Sequence, residues 1–158
     1  MDFITKIFFN FNRVRYIPDE DPSDPLIVRH YLVFNEEEKD RHLNAQENKK
    51  PWNAFIHKIC KSDPTDLHDH PWDYFTLILR GGYWEETPNG MFWRGPGYFT
   101  FRRAKALHRL IIKDKPCWTF FIHFKKIRDW GFIYKGSWMD HEKYIKAGLN
   151  VPWKSVKR

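Results

Sequence analysis

Between Trp52 and Phe124 the chain alternates short apolar runs with turn formers at close, even spacing. WNAFIHKIC (52–60) gives way to the turn SDPTD, YFTLILR (74–80) to Gly81-Gly82, YWEE (83–86) to TPNG, and MFW (91–93) to RGPG. YFTF (98–101) follows, and then ALHRLII (106–112) and CWTFFIHF (117–124) flank KDKP. Runs rich in β-branched and aromatic side chains suit a pleated, half-buried surface. The rhythm therefore predicts an all-β fold, an antiparallel sandwich or barrel of at least six strands over 52–124.

The flanks have a different texture. Residues 1–51 read as an N-terminal arm in which aromatic residues and turn formers run into the acidic, Pro-rich IPDEDPSDP, a loop. The β-branched and aromatic run that follows predicts a strand over 27–35, and the polar stretch from Asn35 to Pro51 suits a solvated helix or a long loop. Residues 125–158 read as a tail of Trp-containing loops with a short helix around His141–Ala147. The whole, 1–158, has the size of one domain with one hydrophobic core.

Large rings, 8 Trp, 14 Phe and 7 Tyr, supply enough apolar area to exclude disorder of the whole chain. No uncharged run approaches the roughly 20 apolar residues of a bilayer span, and Asp2, Lys6, Arg13 and Arg15 interrupt the N-terminal stretch. Neither a signal peptide nor a membrane helix is expected. Cys60 and Cys117 lack a C-x-x-C spacing; read as reduced and buried, they suit a cytoplasmic protein. With 27 Lys and Arg against 20 Asp and Glu the net charge is +7, which draws anions: nucleic acid, phosphorylated metabolites or carboxylates. Basic residues interleaved with rings, as in the C-terminal WKSVKR, suit single-stranded nucleic acid, but no recognised nucleic-acid motif is present. The expected partner is a small anionic molecule.

His68 and His70 lie two residues apart in an extended segment, so both rings project from one face while Asp69 points away. One metal ion can reach both, and His108, in a β-rich segment downstream, is placed to supply a third ligand from a neighbouring strand. Three neutral imidazoles leave coordination positions open and suit Fe(II), Zn(II), Mn(II), Cu(II) or Ni(II). The competing reading is that strand histidines are hydrogen-bonded core or surface polar residues. The same alternatives hold for His57 and His123, either of which can face the cavity as acid, base or substrate anchor. An arginine in a barrel mouth can clamp a carboxylate or phosphate. Arg102 and Arg103 must point to opposite faces, so at most one enters, and Arg109 must point away from His108. Trp72, Tyr74, Tyr83 and Trp93 either line a pocket or form core.

DLHDHPWDYFTLILRGGYWEE, then RGPGYFTFRRAKALHRLII, then CWTFFIHF together resemble the cupin superfamily. The likeness covers roughly 52–133 and is nearest to small cupin-like proteins of bacteria and phages with a His-Asp-His-Pro-Trp-Asp box and a later Trp-Gly-Phe, here Trp130-Gly131-Phe132. The resemblance implies a double-stranded β-helix barrel holding one divalent metal on His68, His70 and His108, and dimerisation by strand exchange, with 27–35 at a sheet edge or paired with its twin. It also implies an acidic ligand four or five residues after the second histidine, where this chain has Tyr74 and Phe75. The family's Gly six residues before the first histidine is Ser62, and RRAKAL replaces its Pro-x-Gly turn. The nearest acid, Asp73, is left as a ligand, a turn cap, or a residue that orients a ligand histidine. The functional expectation is a metal-dependent enzyme on a small anionic molecule. His57, Asp73 and Arg102 are its candidate catalytic groups, an oxygenase with Fe(II) is preferred, and an isomerase, an epimerase or a non-catalytic binding barrel are the alternatives.

Overall fold

The computed structural model describes residues 14–17, 23–33 and 51–149. The expected helix or loop before Pro51 falls almost entirely outside them. Two short N-terminal strands, β1 (Val14–Ile17) and β2 (Ile27–Tyr31), pair with each other, and β2 pairs in turn with β3 (Trp52–Ile59). The expected strand at 27–35 thus forms, ending at Tyr31. It adds alongside β3, and β1, in a part of the arm where the sequence predicts no strand, pairs on its outer side.

The span 52–124 carries seven strands, all antiparallel. After β3 come β4 (Tyr74–Arg80), β5 (Tyr83–Thr87), β6 (Gly90–Arg94), β7 (Phe99–Arg102), β8 (Arg109–Ile111) and β9 (Cys117–Phe124). They divide into a six-stranded sheet ordered β1-β2-β3-β9-β4-β7 and a three-stranded sheet ordered β6-β5-β8. The chain passes from one sheet to the other at Gly81-Gly82, both at positive φ; a Cβ on Gly81 would stand 2.6 Å from the Pro116 carbonyl oxygen. Only glycine fits there.

Strand alternation decides what faces inward. On β3 this is Asn53, Phe55, His57 and Ile59, on β4 Tyr74, Thr76 and Ile78, and on β9 Cys117, Thr119 and His123, all buried. Ile59, Ile78 and Cys117 from the large sheet meet Tyr83 from the small one in an apolar cluster at one end of the interior. The polar inward residues collect at the other end. Both cysteines are free; Cys117 is buried and Cys60 only partly so.

The C-terminal tail is more ordered than its sequence suggests. Gly131–Tyr134 (β10) and Ser137–Asp140 (β11) form a hairpin. It leads into the helix α1 (His141–Lys146), whose N-terminal amides at Glu142 and Lys143 are accepted by the Asp140 carboxylate. No helix among the described residues is long and apolar enough to cross a membrane.

Candidate metal centre

The His68-Asp69-His70 segment is extended but belongs to no ladder; it is held by single bridges on both sides. His68 and His108 exchange backbone hydrogen bonds at 2.9 and 3.0 Å, and on the other side Asp69 N–H donates to the Gly131 carbonyl at 3.0 Å. His70 N–H donates to the Ala104 carbonyl at 2.9 Å. The period-two alternation survives without a ladder: the imidazoles of His68 and His70 go to one side and the Asp69 carboxylate to the other. There Asp69 accepts from Gly131 N–H at 2.8 Å, from the Trp138 indole at 3.0 Å and from the Arg128 guanidinium. Gly131 has no room for a side chain, since a Cβ would lie 2.1 Å from the Met139 carbonyl oxygen.

His108 enters from the bridge that precedes β8, and the three rings converge. One ring nitrogen from each of His68, His70 and His108 falls within a group no wider than 4.8 Å. The Nε2 atoms of His70 and His108 stand 2.8 Å apart. His68 is held down to about pKa 4, by burial first, with the Asp63 charge opposing it and the His108 charge adding to it. Burial, then the charges of His108 and His68, pushes His70 well below its ordinary value. Both imidazoles are therefore neutral near pH 7, with lone pairs available.

Glu85, on the inward face of β5, is 2% exposed and organises the far side of His108. It accepts from His108 Nδ1 at 3.2 Å, from Arg94 Nε at 2.9 Å and from the Arg102 guanidinium. Burial would raise its carboxyl, but the hydrogen bonds from His108 and Arg94 and the Arg102 charge outweigh it and hold the group below the usual carboxylate range. An ionised Glu85 fixes the His108 proton on Nδ1 and leaves Nε2 bare, the carboxylate–histidine arrangement that supports metal ligation. Nδ1 of His68 is buried without a hydrogen-bond partner, 3.9 Å from the Asp63 carboxylate. Converging neutral imidazoles, one with its tautomer set by a carboxylate and one with an orphaned nitrogen, fit a divalent ion of the borderline class.

The other sequence candidates sit as follows. Asp73 stands outside the ligand group: its carboxylate accepts from Ala104 N–H at 2.7 Å and from Arg103 at 2.9 Å, and the first of these, more than Arg103, holds it below its ordinary value. Because the Ala104 carbonyl in turn takes His70 N–H, Asp73 braces the loop behind a ligand. Of the two neighbouring arginines Arg102 points inward and Arg103 outward, but the Arg102 guanidinium is engaged by Glu85. Arg109 turns away to the Thr65 carbonyl and Glu86. His57 lies deeper in the barrel, where Arg29 Nε donates to its Nε2 at 3.0 Å; the Phe121 ring stacks on it at 4.8 Å and on Tyr74 at 5.1 Å. Of the three candidate catalytic groups, none touches the three ring nitrogens directly. His123 donates from Nδ1 to the Phe124 carbonyl and packs on Trp72.

Glu85 was not singled out from the sequence. The available signal was the YWEE run itself: with Tyr83 inward, period two places Glu85 inward as well, and a carboxylate on a barrel's inner face requires partners. Tyr74, four residues after His70, also faces the site: its hydroxyl lies 3.3 Å from His108 Nε2, and its ring packs on His70 at 4.7 Å.

No protein-family profile matches the sequence, and no curated protein matches it. Solved structures do. The polyketide cyclase RemF from Streptomyces resistomycificus superposes with a TM-score of 0.57 at 13% identity, covering 86% of this chain and 89% of that one. An RmlC-like cupin from Shewanella frigidimarina superposes with a TM-score of 0.50 at 14% identity, over 74% and 89% of the two chains. Strand order, the paired antiparallel sheets and these likenesses agree: the chain has the cupin fold.

Proposed function

We propose that this protein is a metal-dependent enzyme that works on a small oxyanion, with His68, His70 and His108 holding one divalent ion. The observation that carries this reading is the convergence of the three ring nitrogens with Glu85 behind His108. An imidazole ligates in its neutral form, so three such ligands would not cancel the ion's charge. Behind His108, Arg94 and Arg102 outweigh Glu85 by one formal positive charge, and beside His68 the Asp63 carboxylate, 3.9 Å away, offsets it. The ion's own charge is therefore what favours an anion at the open positions. The bound ion would supply Lewis acidity and, as Fe(II), a site where dioxygen and a chelating substrate meet. The chain's own contribution is to keep water out with the rings of Tyr74, Phe121, Phe132 and Trp130, and to hold the histidines in one tautomer and orientation. An oxygenase reaction is preferred within this reading.

The test is metal analysis of protein prepared without chelator or nickel resin, followed by anaerobic loading with Fe(II). One ion per chain in the wild type, lost in His70→Ala, supports the centre. Oxygen uptake on adding small carboxylates supports the oxygenase form. Turnover with Zn(II) or Mn(II) in the absence of oxygen moves the assignment to isomerisation or epimerisation. A wild type that takes up no divalent ion sinks the reading.

A further inference from the structure

We propose that the Tyr74 hydroxyl is the hydrogen-bond donor that selects an oxyanion, of the carboxylate or enolate class, bound at the three-histidine centre. This rests on the metal reading above. Tyr74 opens β4 on its inward face, in register with His123 on β9 and Arg102 on β7, and is 3% exposed. A buried phenol needs a hydrogen-bond partner. Among the described residues its hydroxyl has one, His108 Nε2 at 3.3 Å.

That partner is the atom a metal ion takes. His108 Nδ1 is committed to Glu85, so the Nε2 lone pair is the one free for ligation, and Tyr74 shares it with His70. Once the lone pair is occupied, the Tyr74 hydroxyl has lost its acceptor. The ring is fixed by packing against His70 at 4.7 Å and Phe121 at 5.1 Å, so the hydroxyl can rotate but not leave. The acceptor within its reach is then an atom of whatever molecule sits beside His108. An oxygen bearing negative charge accepts best. A phenol hydroxyl carries its proton across the neutral range, so the group remains a donor there. Tyr74 therefore discriminates by what the ligand offers: a charged oxygen gains a hydrogen bond, and an anion that coordinates without oxygen does not.

The experiment uses the full chain loaded with Co(II), whose visible absorption reports ligand exchange, titrated separately with acetate and with thiocyanate. Tyr74→Phe is expected to bind Co(II) with wild-type stoichiometry, to weaken acetate about tenfold, and to leave thiocyanate within about twofold. Phe121→Leu, which loosens one side of the ring stack but keeps the hydroxyl and its packing on His70, is expected to shift the acetate-to-thiocyanate ratio by less than Tyr74→Phe does. Unchanged acetate affinity in Tyr74→Phe, equal losses for both anions, or the same ratio change in Phe121→Leu would each overturn the proposal. So would loss of Co(II) from a Tyr74→Phe protein that unfolds at the wild-type temperature, since the hydroxyl would then be part of what holds the ion. Failure of the wild type to take Co(II) is a distinct result, and strikes the metal centre itself.

Discussion

Asp69 and Gly131 exchange two hydrogen bonds, Asp69 N–H to the Gly131 carbonyl at 3.0 Å and Gly131 N–H to the Asp69 carboxylate at 2.8 Å. This pair joins the His-Asp-His box to the Trp-Gly-Phe sequence and so docks the C-terminal hairpin against the back of the metal ligands. Gly131→Ala would drive a Cβ into the Met139 carbonyl oxygen, 2.1 Å away if nothing moved. Thermal unfolding should show a loss of about 1–3 kcal/mol, the usual cost of forcing a carbon into packed space. Metal affinity should fall with it, because His68 and Asp69 share the displaced backbone. A variant as stable as the wild type would mean that the hairpin yields and does not brace the site.

Removing a ligand and removing its support should differ in size. His70→Ala deletes one of three donors while leaving the Ala104 carbonyl bond to the residue 70 amide in place. The fold should persist by circular dichroism, and metal affinity, measured against a chelator of known strength, should fall by more than about a hundredfold, beyond what loss of a supporting residue costs. Retention of stoichiometric metal would exclude His70 from the centre.

Glu85→Gln keeps the volume but removes the charge that fixes His108 and balances Arg94 and Arg102. About a 10- to 100-fold loss of metal affinity is expected. Asp73→Asn should cost less, since Asp73 reaches His70 only through Ala104. If the two variants rank the other way in the same chelator competition, Asp73 is closer to the metal than its hydrogen bonds place it.

What the sequence made legible was local. The ligand histidines could be read because period-two alternation needs only an extended backbone, and it held at His68 and His70 even without a strand ladder. The seven strands over 52–124 could be read because turn formers separate them. Glu85 could not be assigned a role, since its partners come from β6, β7 and the approach to β8, a meeting set by how two sheets face each other. Alternation shows that at most one of Arg102 and Arg103 enters, but which one does, and its capture by Glu85, depends on the same meeting. The hairpin at 131–140 was read as loop because strands of four residues carry too little periodicity to register. The same shortness hid β1, and with it the covering of β2.

His57 gives the metal-free protein a pH dependence that can be separated from the metal centre. Burial first, then the charges of Arg29, His123 and His30, holds its pKa well below the ordinary value, so the folded protein keeps the ring neutral. The lone pair on Nε2 is used by Arg29, which leaves no place for a second proton there. The unfolded chain has no such constraint and protonates as pH falls through about 6.5. Because the unfolded state then binds more protons, stability should be flat above that pH and fall on acidification below it, by about 1.4 kcal/mol per pH unit for this residue. Denaturant unfolding of the metal-free protein between pH 7.5 and about 5 should show the fall. Other buried histidines, His68 and His70 among them, contribute in the same direction. His57→Gln, whose amide oxygen can still accept from Arg29, should remove one residue's share of the slope and leave the rest. An unchanged slope in that variant would show that His57 takes up its proton as readily in the fold as out of it.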